Sequence, residues 1–169
     1  GYLSLYHSGG GVDYSYPDIN GTGAVQINSF ATQILGGANS TYTGGTYIVS
    51  GTAQISSTTG AGGSGLGSTA GLTTVYEAGT LELGTNARIN ETIYLNGGRL
   101  SAISSGAIQQ GPVVVGASSQ LRAETGGSLT FTAPVITRPG ASLTLNGSGN
   151  LIFSTANSVL GPITSDSPI

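Results

Sequence analysis

Short bursts of alternating apolar and polar residues run along this chain, and the bursts themselves return at a nearly fixed interval. Leucines recur in Thr80-Leu81-Glu82-Leu83, Arg99-Leu100-Ser101-Ala102, Gln120-Leu121-Arg122-Ala123 and Ser142-Leu143-Thr144-Leu145, with steps of 100−81=19, 121−100=21 and 143−121=22. Leu129 and Leu151 repeat at 151−129=22, and Val75, Ile93, Val113 and Val135 at 18, 20 and 22. A period of this size is the signature of a solenoid, and alternation within each burst is that of a strand with one buried face. Three series predict three short strands per coil and an all-β, roughly triangular β-helix with coils of 19–22 residues. Corner residues stand between the bursts, as in Asn96-Gly97-Gly98, Thr125-Gly126-Gly127 and Asn146-Gly147-Ser148-Gly149, where tight turns and positive φ are needed. No stretch carries a competing 3.6-residue period.

Composition changes this picture little. The 169 residues include 30 Gly and only 7% charged side chains, which alone would suggest a low-complexity chain, but 37% are hydrophobic and those are phased. At roughly 20 residues per coil and about 4.8 Å between strands, the chain makes about eight coils and a rod about 40 Å long. The net charge is −3, with Arg88, Arg99, Arg122 and Arg138 as the only cations besides His7. They are scattered one to a coil, whereas phosphate binding needs clustered cations, so nucleic acid is not an expected partner. No run of 18 or more apolar residues predicts a membrane-spanning helix. Absence of Met, even at position 1, is read as processing of a longer precursor, and absence of Cys removes disulfides, thiol catalysis and cysteine metal sites.

The stretch Gly37-Ala38-Asn39-Ser40-Thr41-Tyr42-Thr43-Gly44-Gly45-Thr46, continuing through Gly51-Thr52-Ala53-Gln54, resembles the autotransporter-associated β-strand repeat of bacterial surface proteins. Its usual continuation is similar to Leu66-Gly67-Ser68, Thr73-Thr74-Val75 and Gly79-Thr80-Leu81-Glu82-Leu83. Ser40 is an extra residue and Ala53 stands where the family usually has Leu. The resemblance covers residues 36 to 83, with looser agreement from 84 to 160. It implies a right-handed β-helix of the passenger type, secreted or displayed on a cell surface. Four Asn-x-Ser/Thr sequons, at Asn20, Asn39, Asn90 and Asn146, arise readily in so Ser- and Thr-rich a chain and are read as composition.

Chemistry is sparse. Asp13, Asp18 and Asp166 lie in the terminal segments, and Glu77, Glu82, Glu91 and Glu124 do not fall one coil apart at one strand position. They read as surface charge, not as the paired carboxylates that acid–base catalysis of glycan cleavage requires. His7 has no Gly-x-Ser-x-Gly elbow to serve. Thr-x-Thr pairs at Thr41/Thr43 and Thr130/Thr132 do not recur at the coil step, so no ranked ice-binding array is expected. No enzymatic activity, cofactor or metal is expected.

The candidates that remain are contact residues. Tyr2, Tyr6, Tyr14 and Tyr16 are half of all eight Tyr and lie in the first 16 residues, with Phe30 following. The reading divides the chain into a Tyr-rich segment 1–30 that caps the first coil or contacts a neighbouring copy, a solenoid 31–160, and a tail 161–169. Leu160, Ile163 and Ile169 are the matching apolar candidates near the tail. The leading expectation is an extracellular structural protein, a homopolymeric filament or surface-fibre subunit joined end to end by strand pairing. The alternative is an adhesin passenger that binds a host or matrix glycan, with the Ser56–Ser68 loop in contact. A binder would carry an exposed aromatic patch on a solenoid face, and a filament subunit would carry its aromatics at the ends.

Overall fold

The computed structural model describes residues 1–8, 14–37, 39–56, 65–154 and 161–165. The first coil supplies β1 (Tyr2–Leu5) and β2 (Tyr14–Tyr16). Three long strands follow, β3 (Ala24–Leu35), β4 (Thr46–Ile55) and β5 (Leu72–Leu83), each turning a corner so that its two halves lie on different faces. Shorter strands complete the stack: β6 (Arg88–Ile89), β7 (Thr92–Asn96), β8 (Arg99–Ala102), β9 (Ala107–Gln109), β10 (Val113–Ala117), β11 (Ser119–Ala123), β12 (Ser128–Phe131), β13 (Val135–Thr137), β14 (Leu143–Asn146), β15 (Asn150–Phe153) and β16 (Ile163–Ser165). Among the described residues there is no helix, and every pair of these strands is parallel.

The chain is a right-handed β-helix of about 7 turns. One face runs β1, β3, β4, β5, β7, β10, β13. The second runs through β2 and the later halves of β3, β4 and β5 to β8, β11, β14 and β16. The third is a separate sheet, β6, β9, β12, β15. In the earlier coils this third side is laced instead by single hydrogen bonds, such as Thr41 N–H to Ile19 O at 3.0 Å and Ser68 N–H to Tyr42 O at 2.9 Å. Residues 1–30 belong to the stack: β1 and β2 both pair with β3.

Like residues stack on like down the interior. Ile27, Ile48, Val75, Leu95 and Val115 form one column, and Ala53, Leu81, Leu100, Leu121 and Leu145 another. On the third face Phe131 and Phe153 lie parallel, 5.0 Å between centroids and 11° apart. Two expected registers are corrected. Leu121 pairs with Leu145, while Leu143 faces Ser119, and Val75 pairs with Leu95 instead of Ile93. Both slips are of two residues, which leaves the same side chains pointing inward because successive side chains alternate. Coil length is also less even than expected: Thr46 to Thr73 takes 73−46=27 residues, against 93−73=20 for the next.

A further correction concerns Glu91, which is not surface charge: it is buried, 1% exposed. The Thr73 hydroxyl donates to its Oε1, and Oε2 is buried without a partner. Thr73 sits in register with Thr46, whose Oγ1 lies 2.6 Å from the Tyr42 hydroxyl and donates to Leu66 O at 3.1 Å. A short polar spine therefore interrupts the apolar columns. Burial pushes the Glu91 carboxyl from the ordinary 4.5 up to about 8, with the Thr73 hydrogen bond opposing in part. Burial also raises the Tyr42 phenol.

Two predictions follow from the core. Phe131→Ala should lower stability by about 3–5 kcal/mol through loss of a stacked ring, and Leu129→Asp should unfold its coil by placing a lone charge in a narrow interior. Urea unfolding followed by circular dichroism reads both, and a Leu129→Asp protein with an unchanged midpoint would refute the inward face. The raised Glu91 value means that the folded state holds a proton that the unfolded chain loses from pH 4.5 upward. Stability contributed by this group is therefore complete below about pH 4.5 and falls by about 1.4 kcal/mol per pH unit toward pH 8. The melting temperature of the protein should drop across pH 5 to 8, and Glu91→Gln should flatten that drop.

Candidate ligand-binding face

Outward positions of the first face come into register by the same pairing that builds the core. Gln26, Tyr47, Thr74, Tyr94, Val114 and Ile136 form one outer column, and Tyr76 stands beside it in register with Asn96. Tyr47 is outward because Ile48 is inward, and Tyr76 because Val75 is inward. The Tyr2 ring meets the Tyr47 ring edge to face, 5.8 Å between centroids and at 65°. These two, with Gln26, Val49 and Tyr76, line a depression of about 220 Å³.

The corner beside it is shaped by one extra residue. Ile48 to Ser50 spans two steps on β4 where the paired Val75 to Ala78 spans three on β5. On the other side, Asn96 to Arg99 spans three steps where Tyr76 to Thr80 spans four. β5 thus bulges against both neighbours, and Glu77 and Ala78 are exposed at its crest. Gly97 closes against the bulge with φ +91°, and a Cβ there would sit 3.1 Å from Glu77 Cβ, so glycine fits both the conformation and the space.

Below the bulge lies a polar groove of about 890 Å³, lined by Glu77, Ala78, Asn96, Gly97, Ala117, Ser118 and Gln120, and sharing Val49 and Tyr76 with the aromatic depression. Gln120 Oε1 accepts from Arg99 Nε at 3.2 Å and from Asn146 Nδ2 at 3.4 Å, which leaves its Nε2 as the donor for a ligand. Tyr94 bounds the strip on the other side. Its ring lies 5.1 Å beneath the Arg138 guanidinium, and Arg138 Nη1 donates to its hydroxyl at 3.2 Å. The ring fits because residue 116 is glycine: a Cβ there would strike the Tyr94 hydroxyl. Arg122 pairs with Glu124 at 2.7 Å. The cations are thus held singly, as their spacing in the sequence indicated. Among the described residues no three His, Cys, Asp or Glu side chains converge, and no helix is long and apolar enough to cross a membrane.

The contact candidates named from sequence are dispersed. Tyr2, Tyr6 and Phe30 are exposed at 66%, 63% and 77%, and Phe30 N–H donates to His7 O at 3.2 Å. Tyr14 pairs with Gln33, and the half-buried Tyr16 donates its hydroxyl to Gln33 Oε1 at 2.8 Å. Ile163 is exposed on β16, opposite Leu143. Leu160 and Ile169 lie outside the described residues, as does most of the Ser56–Ser68 loop. The structure brings Tyr2 together with Tyr47 and Tyr76, which were not singled out in the sequence. Their signal was present: each flanks a core β-branched residue, as in Tyr47-Ile48, Val75-Tyr76 and Ile93-Tyr94.

Comparison with known proteins finds no matching family model, no matching curated protein and no matching solved structure.

Proposed function

We propose that this chain is a length of non-enzymatic, extracellular β-solenoid that displays a carbohydrate-binding face. The observation that carries this reading is the continuity of the aromatic depression with the polar groove through Tyr76 and Val49. A sugar has an apolar C–H face and a rim of hydroxyls, so it needs a ring to lie on and amides or a carboxylate beside it. Tyr47 and Tyr76 supply the first, and Asn96, Gln120 and Glu77 the second. Glu77 is the only carboxylate lining the groove, whereas glycoside hydrolysis ordinarily uses a flanking pair. Binding without cleavage is the chemistry such a lining supports. Extracellular placement rests on the resemblance of residues 36–83 to passenger repeats of surface proteins.

A second reading, the end-to-end fibre subunit, has its own observation. Of eight large hydrophobic residues exposed among the described residues, Tyr2, Leu3 and Tyr6 lie on the first coil and Ile136, Ile152 and Ile163 on the last coils. Two such unlike apolar patches would make a heterologous contact, which propagates into fibres.

The glycan reading is tested by exposing the purified chain to an array of plant, bacterial and matrix glycans. Retention of at least one class is expected, with Tyr76→Ala weakening it about tenfold, or ~1.4 kcal/mol; retention of none refutes the reading. Electron microscopy over a concentration series tests the other: filaments with an axial repeat near one solenoid length would support it, and single rods at every concentration would remove it.

A further inference from the structure

Resting on the glycan-binding reading, we infer that the ligand is a linear, uncharged polysaccharide lying along the solenoid axis, with about one sugar unit facing each coil. The direction comes from the register. Tyr2 is on the first coil, Tyr47 on the third, Tyr76 on the fourth, Asn96 on the fifth and Ala117 on the sixth, so the lining descends from coil to coil. Five strand spacings of about 4.8 Å make a path of about 24 Å. One spacing is close to the length of a single hexose in an extended chain, so a linear glycan keeps step with the coils. A single sugar or a compact branched one would use only a fraction of this strip.

The electrical character of the lining fixes the class. Glu77 is the one charged side chain along either depression. The two nearest cations are spent, Arg99 on Gln120 and Arg138 on Tyr94. A uronate or sulfated chain would bring like charge to Glu77 with no lining cation to offset it, which is discrimination by repulsion. A neutral chain asks only for ring faces, amides and hydroxyls. The strip is also graded, aromatic at Tyr2, Tyr47 and Tyr76 and polar at Asn96, Ser118 and Gln120, so the two directions of a polysaccharide chain are not equivalent on it.

Calorimetric titration of the whole chain with neutral β-linked gluco-oligosaccharides and N-acetylglucosamine oligomers of two to eight units, and with oligogalacturonates of the same lengths, tests this. Affinity for a neutral series should climb with length and level off near six units. Oligogalacturonates should bind at least tenfold more weakly, and Glu77→Gln, at an exposed position, should narrow that gap several-fold. Affinity complete at the disaccharide, or acidic oligomers binding as tightly as neutral ones, would overturn the inference. The failure is distinguishable from that of the parent reading: an array that retains only branched or acidic glycans leaves glycan binding standing and removes this inference, and an array that retains nothing removes both.

Discussion

Everything in this molecule depends on one constraint: each coil must satisfy its backbone N–H and C=O groups on the coils above and below, in parallel register, around an interior only a few side chains wide. A one-residue slip would turn every inward side chain outward, so the strand segments cannot absorb length differences. The Ile27–Ile48–Val75–Leu95–Val115 column holds through coils of quite different length because the corners absorb them. Thr46 and Thr73 remain partners although 27 residues separate them. Variation is thus expelled to the corners, where it meets solvent.

The same narrowness makes the polar spine costly. An ionised carboxylate with one oxygen unpartnered could not remain at the depth of Glu91, and holding a proton is the cheaper solution. Thr46 and Thr73, stacked in register, use their hydroxyls on Leu66 O and on Glu91, so each buried polar group rests on a neighbour one coil away. Gln109 does likewise, donating Nε2 to Glu91 O at 3.0 Å and to Gly111 O at 2.8 Å. Wherever the interior is apolar it is stacked like on like, and wherever it is polar it is cross-braced between coils.

The β-helix was legible in the sequence because period and alternation are properties of the strand segments, which the register constraint keeps uniform. Leu129 over Leu151 and Ile93 over Val113 over Val135 are pairs readable from spacing alone. The pairing of Leu121 with Leu145 was not, since Leu143 and Leu145 share a face and only the conformation of the preceding corner, Arg138 to Ser142, decides between them. Glu91 was missed for a related reason: Asn90-Glu91-Thr92 has the composition of a polar turn, and its inward aim is set by how that corner enters β7. Tyr47 and Tyr76 become neighbours across the most irregular coil in the chain, so no fixed period applied to the sequence would have aligned them.

The binding face follows from that irregularity more than from any motif. Had β5 the same corner length as β4 and β8, residues 77 and 78 would continue a smooth edge and the outer columns would present a flat wall. One additional residue lifts Glu77 and Ala78 out of line, opens the groove beside Tyr76 and aims a carboxylate along it. The core is indifferent to this, since Val75 and Leu81 on either side remain in their columns. A solenoid can therefore acquire a site by inserting a single corner residue while leaving stability to the ladder, and the place to look for function in such a chain is where two adjacent coils disagree in length.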